Sequence, residues 1–106
     1  MNRFNYNMDN VNVLCRNEEE LKKAIEIATL FGFFPSFYCD LEECIDTEIS
    51  TFNAMKSNGK VALRLYVNKH DITVTSLYCT PVSAIENFHS LRCFKWLEKL
   101  YEEYSE

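Results

Sequence analysis

The sequence predicts an α+β fold: a single small domain running strand, helix, short strand, helix, β-hairpin, helix, with an antiparallel sheet packed against the helices. Three observations predict it. Lys60–Val67 alternates polar and apolar residues with the period of two that a half-buried strand needs. Leu21, Ala24, Ile25, Ala28 and Phe31 recur at helical spacing. The chain has 106 residues, 47% of them hydrophobic, which suits one domain with one modest core.

Residues 1–10 are Asn-rich and aperiodic and are expected to form a loosely ordered N-terminus. Val11–Cys15, β-branched at Val11 and Val13, is the expected first strand. Asn17 is then a good N-cap, with Glu20 three residues on where a capping-box acid sits. Glu18, Glu19 and Glu20 fill a first turn where the helix dipole favours negative charge. Gly32 suits the left-handed position after the last turn. Phe33–Tyr38 is aromatic and broken by Pro35, which fits a short edge strand or an irregular segment laying rings over the core.

Asp40 opens a second expected helix, Leu41 to about Met55, with Glu43 three residues on. Leu41, Ile45, Ile49 and Phe52 cluster on one side of its wheel, with Cys44 and Met55 at the edge. Glu43 and Asp46 point outward and Glu42 lies on the flank. Glu48 falls near the apolar stripe. Either its stem snorkels outward, or the helix breaks near Thr47 and Ile49–Lys56 forms a strand.

Asn58-Gly59 signals a turn. Lys60–Val67 and the β-branched run Ile72–Cys79 are expected to pair antiparallel around a turn at Asn68–Asp71. Pro81 marks the exit, Ser83 and Glu86 form a further capping box, and Ala84–Tyr104 reads as helix, either continuous or restarting at Ser90. Ile85, Phe88, Phe94, Leu97, Leu100, Tyr101 and Tyr104 supply its apolar positions, with Trp96 beside them.

Charge is distributed unevenly. Between Lys23 and Lys56 there is no lysine or arginine, and Glu26, Asp40, Glu42, Glu43, Asp46 and Glu48 all fall in this gap. The net charge of −5 belongs to that segment, since the rest of the chain is nearly neutral. Basic residues are scattered, so direct nucleic-acid binding is not expected. Lys56, Lys60, Arg64 and Lys69 lie on or near the hairpin, where Arg64 shares a face with Tyr66.

Catalytic patterns are lacking. With two glycines in the chain, a phosphate-cradling loop is nearly excluded, and no zinc-protease or nucleophile-elbow motif occurs. His70 sits in a polar turn and His89 between Phe88 and Ser90, both better suited to surface positions than to catalysis. The acidic run lacks the central glycine and alternate acids of a calcium loop. Cys15, Cys39, Cys44, Cys79 and Cys93 are odd in number and form no Cys-x-x-Cys pair. They are expected to be free, small buried residues. No enzyme, metal or cofactor is expected. There is no apolar run of membrane-spanning length and no signal-peptide pattern, so a cytoplasmic protein is expected.

The functional candidates are the acids Asp40, Glu42, Glu43 and Asp46, presented to a basic partner surface, and Trp96, Tyr101 and Tyr104, as a homodimer interface. A ligand pocket walled by Phe33–Tyr38 is a third reading. The abundance of Asn, Lys, Ile, Tyr and Phe is what AT-rich coding DNA of a low-GC bacterium or its phage produces. The opening pattern is a strand, then Asn17-Glu18-Glu19-Glu20-Leu21-Lys22-Lys23-Ala24-Ile25, then a helix closed by Phe31-Gly32-Phe33. Over Val11 to Phe34 it resembles small accessory proteins of phages and mobile elements, some of them anti-CRISPR or other anti-defence proteins. The resemblance implies a non-catalytic inhibitor acting by binding in a bacterial host cell, and the acidic helix points to a basic, nucleic-acid-handling protein as its partner. It carries over no functional residue.

Overall fold

The computed structural model describes residues 10–33, 40–67, 75–85 and 90–104, without the side chains of Asn10, Val67, Thr75, Ser76 and Tyr104. Of the expected loose terminus 1–10, Asn10 belongs to the first strand and residues 1–9 lie outside the described residues, as do the aromatic segment from Phe34 to Tyr38, the turn Asn68–Asp71, and the cap residue Glu86. Cys39, Lys69, His70, Phe88 and His89 also lie outside.

The elements are β1 (Asn10–Cys15), α1 (Glu18–Leu30), α2 (Leu41–Lys56), β2 (Val61–Val67), β3 (Thr75–Pro81), a 3-10 turn (Val82–Ala84), β4 (Leu91–Cys93) and α3 (Phe94–Tyr104). The fold is α+β: a four-stranded mixed sheet, mostly antiparallel, packed with three helices. Strand order is β3-β2-β1-β4, with β2 antiparallel to both β1 and β3, and β4 parallel to β1.

The helices start and stop as local chemistry dictates. Asn17 caps α1, its side chain accepting the Glu20 N–H at 2.9 Å. Glu20 reaches past the cap: its Oε1 accepts the Arg16 backbone N–H at 2.9 Å, and Oε2 pairs with the Arg16 guanidinium at 2.7 Å. At the other end Gly32 has φ +99°, and the N–H groups of Gly32 and Phe33 bond the carbonyls of Thr29 and Ala28. These two bonds close a Schellman motif, with the buried Phe33 ring as its apolar lock.

One face of each strand meets the helices. Val11, Val13, Cys15, Val61, Leu63, Leu65, Leu77 and Cys79 alternate inward and join Leu21, Ile25, Phe52 and Leu97 in one core cluster. Helix α1 lies between α2 and α3; α2 covers β2 and β3, and α3 covers β1 and β4. Asn53 of α2 donates to Glu18 Oε1 at 3.1 Å and Lys56 to the Arg16 carbonyl at 3.0 Å. The end of α2 therefore lies beside the start of α1, and the two helices run antiparallel.

Two expectations are corrected. First, Ala84–Tyr104 is not one helix. Among its described residues only Phe94–Tyr104 is α-helical, and Leu91–Cys93 instead pairs with Asn12–Leu14. The open edge of β1 supplies ladder partners that override local helix propensity. The chain leaves β3 at one sheet edge and re-enters at β4 on the other. Ser90, just before β4, accepts from Asn12, whose side chain faces away from the helices. Second, Glu48 neither snorkels nor breaks α2. It is 4% exposed, α2 runs unbroken to Lys56, and Glu48 Oε1 accepts the Cys79 N–H at 2.8 Å. The buried stripe of α2 is Cys44, Ile45, Glu48 and Phe52, while Leu41 is 42% exposed.

That bond has a geometric origin. Val82 N–H donates to the Lys60 carbonyl, which fixes the ladder parity of the hairpin. In the register Val61↔Pro81 and Leu63↔Cys79, the amides of odd-numbered β3 residues then point away from β2, along the sheet edge. Pro81 has no amide to expose, and Glu48 takes that of Cys79. An acid on a helix thus closes part of an edge strand.

Candidate functional site

The acidic run of the sequence divides into three roles. Asp40 is a helix cap, its Oδ1 accepting the Glu43 N–H at 2.7 Å. Glu48 is structural. Glu42, Glu43 and Asp46 remain on the exposed face of α2. Glu26 is exposed on α1, where its charge acts on Lys23, the residue that pairs with Glu98 of α3.

Helix α3 spends its apolar positions inward. Leu97 is fully buried, and Phe94, Trp96, Leu100 and Tyr101 pack against the core. The Arg92 guanidinium lies 5.8 Å from the centre of the Trp96 ring. This leaves less of Trp96 and Tyr101 for a second copy than the sequence suggested; the Tyr104 side chain lies outside the described residues. Lys23 of α1 ties α3 down through Glu98 at 2.7 Å.

The cysteines behave as core atoms. Cys15, Cys44 and Cys79 are free and buried, whereas Cys93 is free and exposed. Burial, with a smaller contribution from Glu20, pushes the Cys15 thiol up to about 12. Burial pushes Cys44 up to about 11, with Glu48 adding to it. Cys79 is raised further by burial and the adjacent Glu48. Thiols held neutral in this way are poor nucleophiles and poor metal ligands. Among the described residues no group of His, Cys, Asp and Glu is arranged to hold a metal.

Two surface clefts are small. One of about 170 Å³ is lined by Leu14, Arg16, Cys93, Phe94 and Lys95, and one of about 250 Å³ by residues including Met55, Lys60 and Pro81. Both fall below the ~300 Å³ at which ligand pockets begin. Among the described residues no helix is long and apolar enough to cross a membrane.

Sequence reasoning missed one arrangement. Arg64 was paired with Tyr66 along its own strand, but its guanidinium lies over the Tyr78 ring, 5.9 Å from the centre. Arg64↔Tyr78 is a cross-strand pair of the hairpin. The register that makes them neighbours follows from the ladder, which the sequence alone leaves free by two residues. No family model, curated protein or solved structure shows significant similarity to this chain.

Proposed function

We propose that the chain is a non-catalytic inhibitor that binds a protein through the acidic flank of α2. Glu42, Glu43 and Asp46 meet a basic surface of a nucleic-acid-handling protein and occlude it, in the manner of the anti-defence proteins the sequence resembles. The observation that carries this reading is the division of labour among the acids. Asp40 and Glu48 are taken up by capping and by the sheet edge, while Glu42, Glu43 and Asp46 stay exposed on a well-anchored helix. Complementary charge of this kind speeds encounter and rejects like-charged surfaces. It also predicts a salt-sensitive complex, with affinity falling from 50 to 500 mM salt.

The test is the triple reversal Glu42→Lys, Glu43→Lys, Asp46→Lys. Wild-type and variant chains are immobilised, host proteins captured on each are identified by mass spectrometry, and thermal melts are recorded by circular dichroism. The expected outcome is loss of the captured partner with a melt nearly unchanged. Equal capture by the variant rejects the α2 interface.

A further inference from the structure

We propose that the turn Asn58-Gly59 is a self-modification site, at which the folded chain converts Asn58 through a cyclic imide into aspartyl and isoaspartyl forms, with water as co-reactant and with Lys60 and Ser83 assisting. The reaction needs a backbone nitrogen that can turn back onto the side chain before it. A Cβ on the following residue crowds that nitrogen, and among the described asparagines only Asn58 is followed by glycine. Gly59 stands at φ +141°, and nothing lies within 4 Å of the place a Cβ would take. Asn58 and Gly59 are both exposed. By contrast Asn12 is buried, Asn17 is spent as the α1 cap, and Asn53 gives its amide to Glu18.

The fold gives this turn a chemical setting. The Gly59 N–H donates to the Lys56 carbonyl at 3.2 Å, the long end of the ordinary range. That bond closes the turn after α2, and exposed backbone bonds of this kind open at little cost in free energy. Asn58, Gly59, Lys60 and Ser83 line one cleft of about 250 Å³, together with Met55 and Pro81. The Val82 N–H donates to the Lys60 carbonyl at 2.9 Å, which holds the segment carrying Ser83 against Lys60. A cation and a hydroxyl therefore share the cleft with the reacting amide. Hydroxide removes the Gly59 amide proton, and the nitrogen lone pair attacks Asn58 Cγ. A C–N bond forms to close the imide, and the Cγ–Nδ2 bond breaks, Nδ2 leaving as ammonia after taking a proton from water. Lys60 and Ser83 stabilise the negative charge that forms first on nitrogen and then on Oδ1. Water reopens the imide at Cγ to give aspartate, or at the backbone carbonyl to give β-linked isoaspartate. Nothing is oxidised or reduced, and the chain gains a negative charge.

The inference does not rest on the α2 interface, whose acids stand toward the other end of that helix. It is tested by incubating the full folded chain at pH 8 and mapping its peptides by mass spectrometry, with chromatography separating isoaspartyl from aspartyl products. The Asn58 peptide should gain the mass of an amide exchanged for an acid, in both forms, ahead of every other asparagine. Asn58→Gln, whose longer side chain needs a larger ring, should abolish the conversion. Lys60→Gln with Ser83→Ala, at two exposed positions, should leave the thermal melt nearly unchanged. The pair should slow conversion roughly two- to fivefold, the size of exposed charge and hydrogen-bond contributions. Conversion in the urea-unfolded chain but not in the folded one overturns the proposal. Aspartate without isoaspartate also overturns it, because that product marks direct hydrolysis rather than an imide. An unchanged rate in the Lys60–Ser83 variant overturns it as well, leaving an ordinary exposed turn.

Discussion

Removing the Glu48 carboxylate tests the least expected contact in the fold. Glu48 is 4% exposed and accepts the edge amide of Cys79 at 2.8 Å. Glu48→Ala leaves that donor without its acceptor in dry surroundings, at a cost of about 1–3 kcal/mol. Loss of one buried methylene adds ~0.8 kcal/mol. The sum, about 2–4 kcal/mol, is a large share of the ~5–15 kcal/mol that holds a small domain together. At roughly 4–8 °C per kcal/mol for a domain near this size, the melt should fall by on the order of 10–30 °C. Glu48→Gln keeps an oxygen acceptor and should stay within ~1 kcal/mol of wild type. Urea unfolding followed by circular dichroism supplies the energies. Amide exchange at Cys79 supplies the local readout, which should accelerate in the alanine variant and not in the glutamine one. Two results would refute the reasoning: an alanine variant within ~0.5 kcal/mol of wild type, or a glutamine variant as damaged as the alanine one. The second would make negative charge, rather than amide capture, the reason for the residue.

Other outcomes follow from the same contacts. Asp40→Ala should cost about 1 kcal/mol in urea unfolding through loss of the α2 cap. Leu97→Ala, at a fully buried α3 position, should cost about 2–5 kcal/mol. Stability should also fall in alkali. The folded thiols of Cys15, Cys44 and Cys79 ionise above their ordinary value of 9.0, so above that pH the unfolded chain binds fewer protons than the folded one. The thiols' contribution is complete below pH 9 and is lost as pH climbs toward 11–12, by about 1.4 kcal/mol per pH unit for each thiol. Urea titrations at pH 8–11 should show that slope reduced by about a third in Cys44→Ala. In a Cys39→Ser background, a thiol reagent at pH 8 should label Cys93 rapidly and the three buried cysteines only after unfolding.

The legible parts of this fold were those written in local chemistry. The Asn17 and Asp40 caps, the Gly32 stop and the alternation of Val61–Leu65 each act within a few residues, and each stands where the sequence placed it. What could not be read depends on a distant partner. Leu91-Arg92-Cys93 is too short to show a period and becomes a strand because β1, some eighty residues earlier, has an edge to fill. Glu48 looked like a flaw in an apolar stripe because its reason, the Cys79 amide, lies thirty-one residues away. The same holds at the candidate sites. Exposure of Glu42, Glu43 and Asp46 was legible from a wheel, while the Arg64–Tyr78 stack needed strand register.

The position of β1 has a consequence for how the protein is made. It is an early element to leave the ribosome, yet it sits inside the sheet, between β2 and β4. Its first partner appears about fifty residues later and its second only at Leu91–Cys93. At ~5–20 residues per second, β1 waits several seconds with both edges open. Meanwhile α1, capped at both ends by neighbouring residues, and the β2–β3 hairpin can form from local contacts alone. Until Leu91–Cys93 has been made, the edge of β1 away from β2 has no strand to pair with. Truncation before Leu91 should therefore yield a chain with a strand edge exposed and a tendency to associate, rather than a smaller version of the same domain.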